Sequence, residues 1–301
     1  MGKGRILVTG ASGFLGWNLL QARWPEWEWI GCSQSQDPGL ADLALVHCDL
    51  TAPGAAERLI EQTQPDVVIH TAAQTWLDSC EIDPAATHPI NAAVPAELAR
   101  HCQTKGIKLV FTSSDMVFDG LRPPYTEEDK RQPINIYGRQ KAEAEDRVLQ
   151  LAPSAAICRM PLMFGSPGPC ARNFLPDWLA ALKAGRRVSA FVDEIRTPAS
   201  AATAVAGLRL AVERDVVGLL HLGGRESLSR HAFAQQLCEV WGMNQDGLQP
   251  VHQADLDFKA PRPADTSMDS SRAFALGFDP PPLRAQLEAL HAAQQETAPI
   301  T

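Results

Sequence analysis

Two side chains that can handle a proton lie four residues apart in the segment Tyr137-Gly138-Arg139-Gln140-Lys141. If this segment is helical, Tyr137 and Lys141 lie on one face and reach the same ligand. A phenol with a pKa of about 10 is a slow proton donor at neutral pH, and a neighbouring ammonium lowers that pKa by favouring the phenolate. We therefore expect Lys141 to activate Tyr137, which would protonate a carbonyl oxygen while the carbonyl carbon receives a hydride.

A hydroxyl group from another part of the chain would complete such a site. The run Thr112-Ser113-Ser114-Asp115 ends the fifth predicted strand, at the carboxyl edge of the sheet where ligands of α/β proteins bind. Ser114 would polarise the substrate carbonyl there. A polar turn that only caps the strand is the alternative. Together with Tyr137, the run favours a reductase site.

A glycine-rich turn, Gly10-Ala11-Ser12-Gly13-Phe14-Leu15-Gly16, joins the first predicted strand to the first predicted helix. Gly10 permits a tight turn, Gly13 lets backbone N–H groups approach a pyrophosphate, and Gly16 lets helix and strand pack closely. An ordinary glycine-rich turn is the alternative, but the strand before it and the helix after it favour a dinucleotide site. The expected contacts are Gly10, Ser12, Gly13, Phe14, Leu15 and Gly16.

Apolar runs alternate with amphipathic segments through the first two-thirds of the chain, which predicts an α/β fold with a Rossmann-type doubly wound parallel sheet. The predicted strands are 5–9, 27–32, 66–70, 108–112, 155–159 and 219–222, and the predicted helices are 14–23, 55–63, 91–105, 138–151, 173–183 and 230–240. We expect a dinucleotide-binding domain over residues 1–160, to which 195–224 return. Residues 161–194 and 225–301 would form a smaller, discontinuous substrate-binding lobe.

Composition and charge argue against several classes of protein. The formal net charge of -8, with no dense basic cluster, gives nucleic-acid phosphates nothing to bind. The seven cysteines are scattered with no Cys-x-x-Cys pair, which indicates free thiols in a reducing compartment rather than disulfides or structural zinc. No signal-peptide pattern and no apolar run of membrane-spanning length occurs. We expect a cytoplasmic protein with no metal, no nucleic acid and no membrane partner.

Several segments together resemble one known family. They are 9–16 (TGASGFLG), 65–73 (PDVVIHTAA), 112–120 (TSSDMVFDG) and 136–145 (IYGRQKAEAE), and the likeness continues at 173–174, 218–223 and 262–263. The chain resembles the extended short-chain dehydrogenases/reductases, specifically the dTDP-4-dehydrorhamnose reductase group. The likeness covers nearly the whole chain.

The resemblance assigns roles to the residues already singled out. It makes Ser114 the catalytic hydroxyl, Tyr137 the proton donor and Lys141 its activator, with Tyr137 and Lys141 also contacting the cofactor. Ala72 and Ala73 match residues that line the cofactor ribose. These roles imply a reductase that uses a nicotinamide cofactor.

The adenosine side of the cofactor site is expected at Ser33, Asp49 and Leu50. The pair Asp49-Leu50 resembles the acidic-aliphatic pair that holds the adenine ring in this superfamily, although Asp49 could simply cap a strand end. Ser33 and Gln34 stand where an Asp would bind the ribose 2′-hydroxyl, or an Arg the 2′-phosphate. Because no carboxylate there repels a phosphate, we expect NADP to be favoured, with NAD also usable.

The substrate site is expected from the same resemblance. Arg196 and Arg262 match arginines that hold the substrate diphosphate in nucleotide-sugar enzymes, and Asn173 and Met116 would contact the substrate. Met116 and Leu162 are aliphatic where the rhamnose-pathway reductases carry aromatic residues, and His70-Thr71 replaces the common Asn-Ala. The sugar pocket therefore differs from theirs.

The function favoured by these observations is reduction of a keto group on a nucleotide-activated deoxysugar. A sugar-nucleotide epimerase, or a dehydrogenase acting on another small carbonyl substrate, would use the same residues. A non-catalytic, cofactor-binding regulatory subunit of another enzyme is the alternative from a different class. The family's habit suggests a homodimer.

Overall fold

The structure is a computed structural model that describes residues 4–297. Its strands are β1 (Gly4–Thr9), β2 (Trp27–Ser33), β3 (Ala44–His47), β4 (Val67–His70), β5 (Lys108–Ser114), β6 (Ala156–Met160), β7 (Met163–Phe164), β8 (Val188–Phe191), β9 (Ile195–Arg196), β10 (Ala199–Ser200), β11 (Gly218–His221), β12 (Leu228–Ser229) and β13 (Leu248–Val251). Its α-helices are α1 (Phe14–Gln21), α2 (Ala55–Thr63), α3 (Leu77–Ile82), α4 (Pro84–His88), α5 (Val94–Lys105), α6 (Ile136–Leu151), α7 (Phe174–Lys183), α8 (Ala201–Glu213), α9 (Arg230–Val240), α10 (Ser271–Ala275) and α11 (Leu283–Thr297). A π-helix (Pro89–Ala93) precedes α5, and 3-10 turns cover Asp115–Val117 and Gln253–Asp255.

The central sheet has seven strands in the order β11-β6-β5-β4-β1-β2-β3. Every pairing within it is parallel. This confirms the predicted Rossmann-type fold, in which strand order reverses beside β1 and leaves a crevice for a ligand. The prediction omitted β3, an edge strand whose partly exposed residues give a weak apolar signal.

The sheet is covered on both faces, which is why its central strands read as continuous apolar runs. On one face it packs against α1 and α8, where Leu19 and Leu208 are fully buried. On the other face it packs against α2, α5 and α6 through residues such as Leu59, Leu98 and Val148. Each fully buried side chain of this size contributes about 1.5–3 kcal/mol, so these layers fix the loops at the sheet's carboxyl edge.

A second apolar cluster joins α7, α9 and α11 around Phe164, Phe233 and Leu287. Within 195–224, α8 and β11 join the central sheet layer, but β9 pairs antiparallel with β12 and β10 pairs with β7. Within this range, β9 and β10 thus form small two-stranded sheets, and β11 pairs with the central sheet. The division into two domains remains a prediction, and its ends at 1–3 and 298–301 lie outside the described residues.

Within residues 4–297, no helix combines the length and apolar character needed to cross a membrane. The same part of the chain holds no group of three or more His, Cys, Asp or Glu side chains arranged for a metal ion. All seven cysteines are free.

Candidate active site

A cavity of about 690 Å³ opens where the loops after β1, β4, β5 and β6 meet segments of the second apolar cluster. The predicted site residues that line it are Gly13, Phe14, Leu15, Gly16, Ala73, Ser114, Met116, Tyr137, Lys141, Asn173, Arg196 and Arg262. The predicted residues outside its lining are Gly10, Ser12, Ser33, Asp49, Leu50 and Ala72. The cavity therefore joins the expected nicotinamide and substrate residues, and the adenosine-side residues lie beyond it.

The start of α6 brings Tyr137 against the strand end that carries Ser114. Asn135 caps the helix, because its side chain accepts a hydrogen bond from the Gly138 N–H at 2.8 Å. A Cβ on Gly138 would lie 2.1 Å from the Met116 carbonyl oxygen, so only glycine allows this approach. As a result, Tyr137 lies close enough to Ser114 for the serine side chain to affect the pKa of the phenol.

The pKa of Tyr137 lies above its ordinary value, so the expected lowering by Lys141 is wrong for this structure. Burial of the phenol is the largest cause, and the charges of Asp115 and Cys80 add to it. The Ser114 side chain acts in the opposite direction, but its effect is weaker. Tyr137 therefore keeps its proton at neutral pH, which suits a proton donor in reduction.

Lys141 lies one turn after Tyr137, buried, with its Nζ 4.2 Å from the centroid of the Phe111 ring. Burial lowers the pKa of Lys141 to about 7, although the Glu145 carboxylate acts to raise it. Such an ammonium loses its proton near neutral pH. Lys141 can therefore take up and release a proton close to Tyr137.

Glu145 is itself fully buried and anchors this part of α6. Its carboxylate accepts two hydrogen bonds from Arg159, from Nε at 3.0 Å and from Nη2 at 2.8 Å, and a further one from Arg131 at 3.2 Å. Arg159 Nη1 also lies 3.1 Å from His221 Nε2. This closed network ties α6 to β6 and β11 and so fixes the position of Lys141.

His70 lies beneath the same region and is a structural residue here. Its Nδ1 lies 2.6 Å from Thr9 Oγ1 and its ring stacks on Phe111, whereas Nε2 has no hydrogen-bond partner. Burial, and secondarily Lys141, lower the pKa of His70 to about 3. The imidazole is therefore neutral, and it is absent from the cavity lining.

Asp115, which the sequence interpretation left without a role, holds Ser114. The Ser114 hydroxyl donates to Asp115 Oδ1 at 3.0 Å, and Thr266 Oγ1 donates to Oδ2 at 2.9 Å. Burial raises the pKa of Asp115, with Arg196 as the main opposing charge. The position of Asp115, directly after Ser114 at a strand end, is the sequence feature that could have indicated this role.

The glycine turn has the geometry that a dinucleotide pyrophosphate requires. Gly10 has a φ of +76°, and a Cβ on it would lie 2.7 Å from the Ala72 nitrogen. A Cβ on Gly16 would lie 2.2 Å from the Gly10 carbonyl oxygen. α1 starts with no side-chain cap and no acidic residue in its first turn, so its first N–H groups are available to an anion. The residues present fit the cofactor.

On the adenosine side, Ser33 and Asp49 are held by neighbouring residues. The Ser33 hydroxyl donates to the Gln36 carbonyl at 2.6 Å. Asp49 accepts from the Thr51 N–H and hydroxyl, and these bonds lower the pKa of its carboxyl group. Asp49 thus caps the turn after β3, and Leu50 is buried in the core beside it, while their contact with the adenine ring stays a prediction.

At the other end of the cavity, the buried carboxylate of Glu194 faces three guanidinium groups. The nearest nitrogens of Arg196, Arg230 and Arg262 lie 3.7, 3.8 and 4.0 Å from its oxygens. Glu194 Oε2 has no hydrogen-bond partner, so this cluster is open, unlike the network at Glu145. One carboxylate does not neutralise three guanidinium groups, and the surplus positive charge suits a diphosphate.

Arg196 differs from its two partners. Its guanidinium donates to the backbone carbonyls of Ile195, Ala264 and Pro263 at 2.6, 3.2 and 3.0 Å, and it is almost fully buried. Its Nε lies 3.7 Å from Asp115. Arg196 therefore borders the cavity with several of its donors bonded to the backbone, and its contact with the substrate stays a prediction.

Arg230 and Arg262 keep donors for a ligand. The Nε of each is buried without a hydrogen-bond partner. Arg262 lies over the Phe258 ring at 4.0 Å, and Arg230 over Phe174 at 4.2 Å, so aromatic faces orient both. Sequence reasoning missed Arg230, because a single Arg at a helix start carries no local signal.

Two asparagines also shape the cavity. Asn173 caps α7 by accepting from the Leu175 N–H at 3.1 Å, and its amide donates to the Met163 carbonyl at 3.1 Å. The side chain of Asn135 donates to the Pro261 carbonyl at 3.0 Å. The first contact sets one wall of the cavity, and the second links the start of α6 to the loop that carries Arg262.

A Rossmann-type sheet with a glycine turn, and with Ser114, Tyr137 and Lys141 at its carboxyl edge, is the arrangement of a short-chain dehydrogenase/reductase. The family model described as RmlD substrate binding domain matches residues 4–296, and the chain belongs to this family.

Known proteins resemble the chain over nearly its whole length. It is 32% identical over 291 residues to the probable low-salt glycan biosynthesis reductase Agl14 of Haloferax volcanii. This match covers 95% of the present chain and 97% of the relative. It is 27% identical over 283 residues to methionine adenosyltransferase 2 subunit beta of Mus musculus, covering 91% and 83%. The crystal structure of dTDP-4-dehydrorhamnose reductase from Bacillus anthracis, in complex with NADP, matches with a TM-score of 0.87 and 27% identity, covering 97% and 99%.

Proposed function

We propose that this protein reduces a keto group on a nucleotide-activated deoxysugar, with a reduced nicotinamide cofactor as hydride donor. The observation that carries the proposal is one cavity lined by Ser114, Tyr137 and Lys141 at one end and by an open arginine cluster at the other. The similarity to dTDP-4-dehydrorhamnose reductase and to the glycan biosynthesis reductase supports the same substrate class.

Each of these residues has a separate role in the reaction, which its position determines. When bound, the cofactor supplies a hydride to the carbonyl carbon. Tyr137 donates its phenolic proton to the carbonyl oxygen. The Ser114 hydroxyl exchanges its hydrogen bond with Asp115 for one to that oxygen as charge develops on it. Lys141 then stabilises the phenolate and passes it a proton from solvent. One hydride and one proton convert the ketone to an alcohol.

The cofactor is proposed to be NADPH in preference to NADH. The neighbour from Bacillus anthracis binds NADP, and the end of β2 carries Ser33 and Gln34 with no carboxylate. A 2′-phosphate would meet no repulsion from that strand end. Comparing kcat/KM for the two reduced cofactors tests this preference, and a strong preference for NADH would contradict it.

Replacing Tyr137 with Phe tests the proposal directly. Loss of the proton donor should lower turnover of dTDP-4-dehydrorhamnose by about 10²–10⁴-fold, with cofactor affinity nearly unchanged. Tyr125 is the matched control, because its hydroxyl donates to Asp119 at 2.5 Å and it lies outside the cavity lining. Tyr125→Phe should retain turnover, and an active Tyr137→Phe variant would rule out the assigned role.

A second candidate function is a cofactor-binding regulatory subunit of another enzyme. The similarity to methionine adenosyltransferase 2 subunit beta supports it. Stoichiometric co-purification of an enzyme, together with no turnover of any nucleotide-sugar, would favour it over the reductase. An epimerase or a dehydrogenase for another carbonyl substrate would be recognised by screening nucleotide-sugars for product.

Three further properties belong to the same proposal. We propose cytoplasmic residence, a homodimer, and a discontinuous substrate-binding lobe attached to the dinucleotide-binding domain. Cell fractionation tests the first, and light scattering coupled to gel filtration tests the second. Limited proteolysis with and without cofactor tests the third, because cofactor should protect the dinucleotide-binding domain selectively.

A further inference from the structure

A large exposed aromatic side chain stands in the lining of the cavity. Trp76 has 62% of its surface exposed and lines the cavity between Thr75 and Leu77. The other exposed large apolar side chains within residues 4–297 lie outside the lining; they are Ile82, Leu121, Val217 and Leu256. Because exposed indole surface is costly in water, Trp76 is the one with a ligand site to cover it.

The backbone that carries this indole is held firmly. The Trp76 carbonyl accepts from the Cys80 N–H at 3.1 Å, in the first turn of α3. Its own N–H lies 3.3 Å from Gln74 Oε1. Gln74 in turn is fixed by buried Asn91, which accepts from its N–H and donates to its carbonyl, each at 2.9 Å. The indole is therefore a free side chain on a rigid support.

Helix α3 links the two ends of the cavity beside Trp76. Asp78 accepts a hydrogen bond at 3.1 Å from the N–H of Ala260, two residues before Arg262. Glu81 accepts one at 3.0 Å from the N–H of Ile136, the residue before Tyr137. A substrate whose keto group is at Tyr137 and whose diphosphate is at Arg262 must pass this helix with its sugar ring.

The other aromatic residues of the lining are already engaged. Phe14 lies in the first turn of α1, at the glycine turn. Phe174 lies beneath Arg230, and Tyr137 is buried beside Ser114. Trp76 makes no ring-stacking or cation–π contact with any described residue. It is the aromatic side chain that remains for the sugar.

We propose that Trp76 is a specificity-determining residue whose indole packs against the apolar C–H face of the substrate's deoxysugar ring. This inference rests on the proposed function, since it requires a nucleotide-sugar in the cavity. Aromatic rings bury large apolar area at little entropic cost, and a deoxysugar offers more C–H surface than a fully hydroxylated sugar. Trp76 therefore favours deoxysugars over their hydroxylated counterparts.

Trp76→Ala in the full-length protein tests this assignment. We expect KM for dTDP-4-dehydrorhamnose, and Kd for dTDP-rhamnose by calorimetry, to rise about tenfold, the equivalent of about 1.4 kcal/mol. The Kd of dTDP alone should stay within about twofold, because dTDP lacks the deoxyhexose ring that Trp76 is proposed to contact. KM should change more than kcat, and Trp76→Phe should restore most of the affinity. Ile82→Ala, also exposed on α3 but outside the lining, is the matched control and should behave as the wild type.

Two results would overturn the inference: unchanged Kd for dTDP-rhamnose in Trp76→Ala, or equal weakening of dTDP and dTDP-rhamnose. The wild-type protein separates this failure from that of the proposed function. If it binds dTDP-rhamnose but turns over no nucleotide-sugar, the reductase proposal fails while the Kd comparison still decides on Trp76. If it binds no nucleotide-sugar at all, both are overturned.

Discussion

Two buried glutamates, each surrounded by arginines, differ in how their hydrogen bonds are completed. Glu145 accepts two hydrogen bonds from Arg159 and one from Arg131, and Arg159 reaches on to His221. Glu194 faces three guanidinium groups at 3.7–4.0 Å and keeps an unpartnered oxygen. The first cluster is complete within the protein, whereas the second is not.

This difference separates a structural ion network from a binding site made of the same residue types. Buried charges are tolerated when the protein itself satisfies them, and removal of one partner is then costly. Where donors such as Arg230 Nε and Arg262 Nε stay unpaired, their desolvation is offset only when an anion arrives. The Glu194 cluster, whose hydrogen bonds are incomplete within the protein, is therefore the one that we expect to bind a ligand.

The largest expected effect of a single substitution on stability lies in the closed cluster. Arg159→Met should lower the free energy of unfolding by about 3–5 kcal/mol, because it leaves the Glu145 carboxylate buried with only Arg131. Urea denaturation of the purified protein measures this. Arg284→Met, which removes an exposed i,i+4 pair with Glu288, should change stability by less than about 0.5 kcal/mol. Equal losses of stability in the two variants would show that the Glu145 network contributes no more than an exposed ion pair.

A smaller effect is expected in the open cluster, and on binding rather than stability. Arg262→Met or Arg230→Met should weaken dTDP binding by about 10–100-fold, since a hydrogen bond to a charged group contributes about 1.5–3 kcal/mol. The free energy of unfolding, measured in the absence of ligand, should change little. Arg187, exposed and outside the lining, is the control position. Unaltered dTDP affinity in both variants would remove the diphosphate assignment.

The smallest effect concerns pH, and it depends on Lys141. Its pKa is lowered to about 7, whereas that of Tyr137 is raised, so Lys141 loses its proton first as pH increases. We expect kcat/KM for reduction to fall above about pH 7, by at most tenfold per pH unit, because neutral Lys141 no longer stabilises the phenolate. Steady-state rates from about pH 6 to 9 test this. A flat profile would mean that the protonation of Lys141 does not limit the reaction.

The parts of the site that depend on local backbone geometry could be predicted from the sequence. Gly10 and Gly16 indicate the turn, because no other residue fits at these positions. The four-residue spacing of Tyr137 and Lys141 indicates that they share one face of a helix. Ser114 followed from its place at a strand end. The central sheet was predictable for the same reason, except for the partly exposed edge strand β3.

The residues brought in by distant loops could not be predicted in this way. Arg230 and Glu194 meet only through tertiary packing, and so do Arg196 and the Pro263 carbonyl. The direction of the Tyr137 pKa was also wrong, because burial of the phenol is the largest influence on that pKa and burial is not readable from spacing.

The hydrogen bond from the Asn135 side chain to the Pro261 carbonyl has a consequence for substrate choice. Asn135 starts the helix that bears Tyr137, and Pro261 precedes Arg262, so the bond fixes the interval between two side chains that line the same cavity. Under the roles proposed for Tyr137 and Arg262, a fixed interval sets how far a reducible ketone lies from the phosphates. We therefore expect a ketone one carbon nearer to or farther from the phosphates to be reduced more slowly.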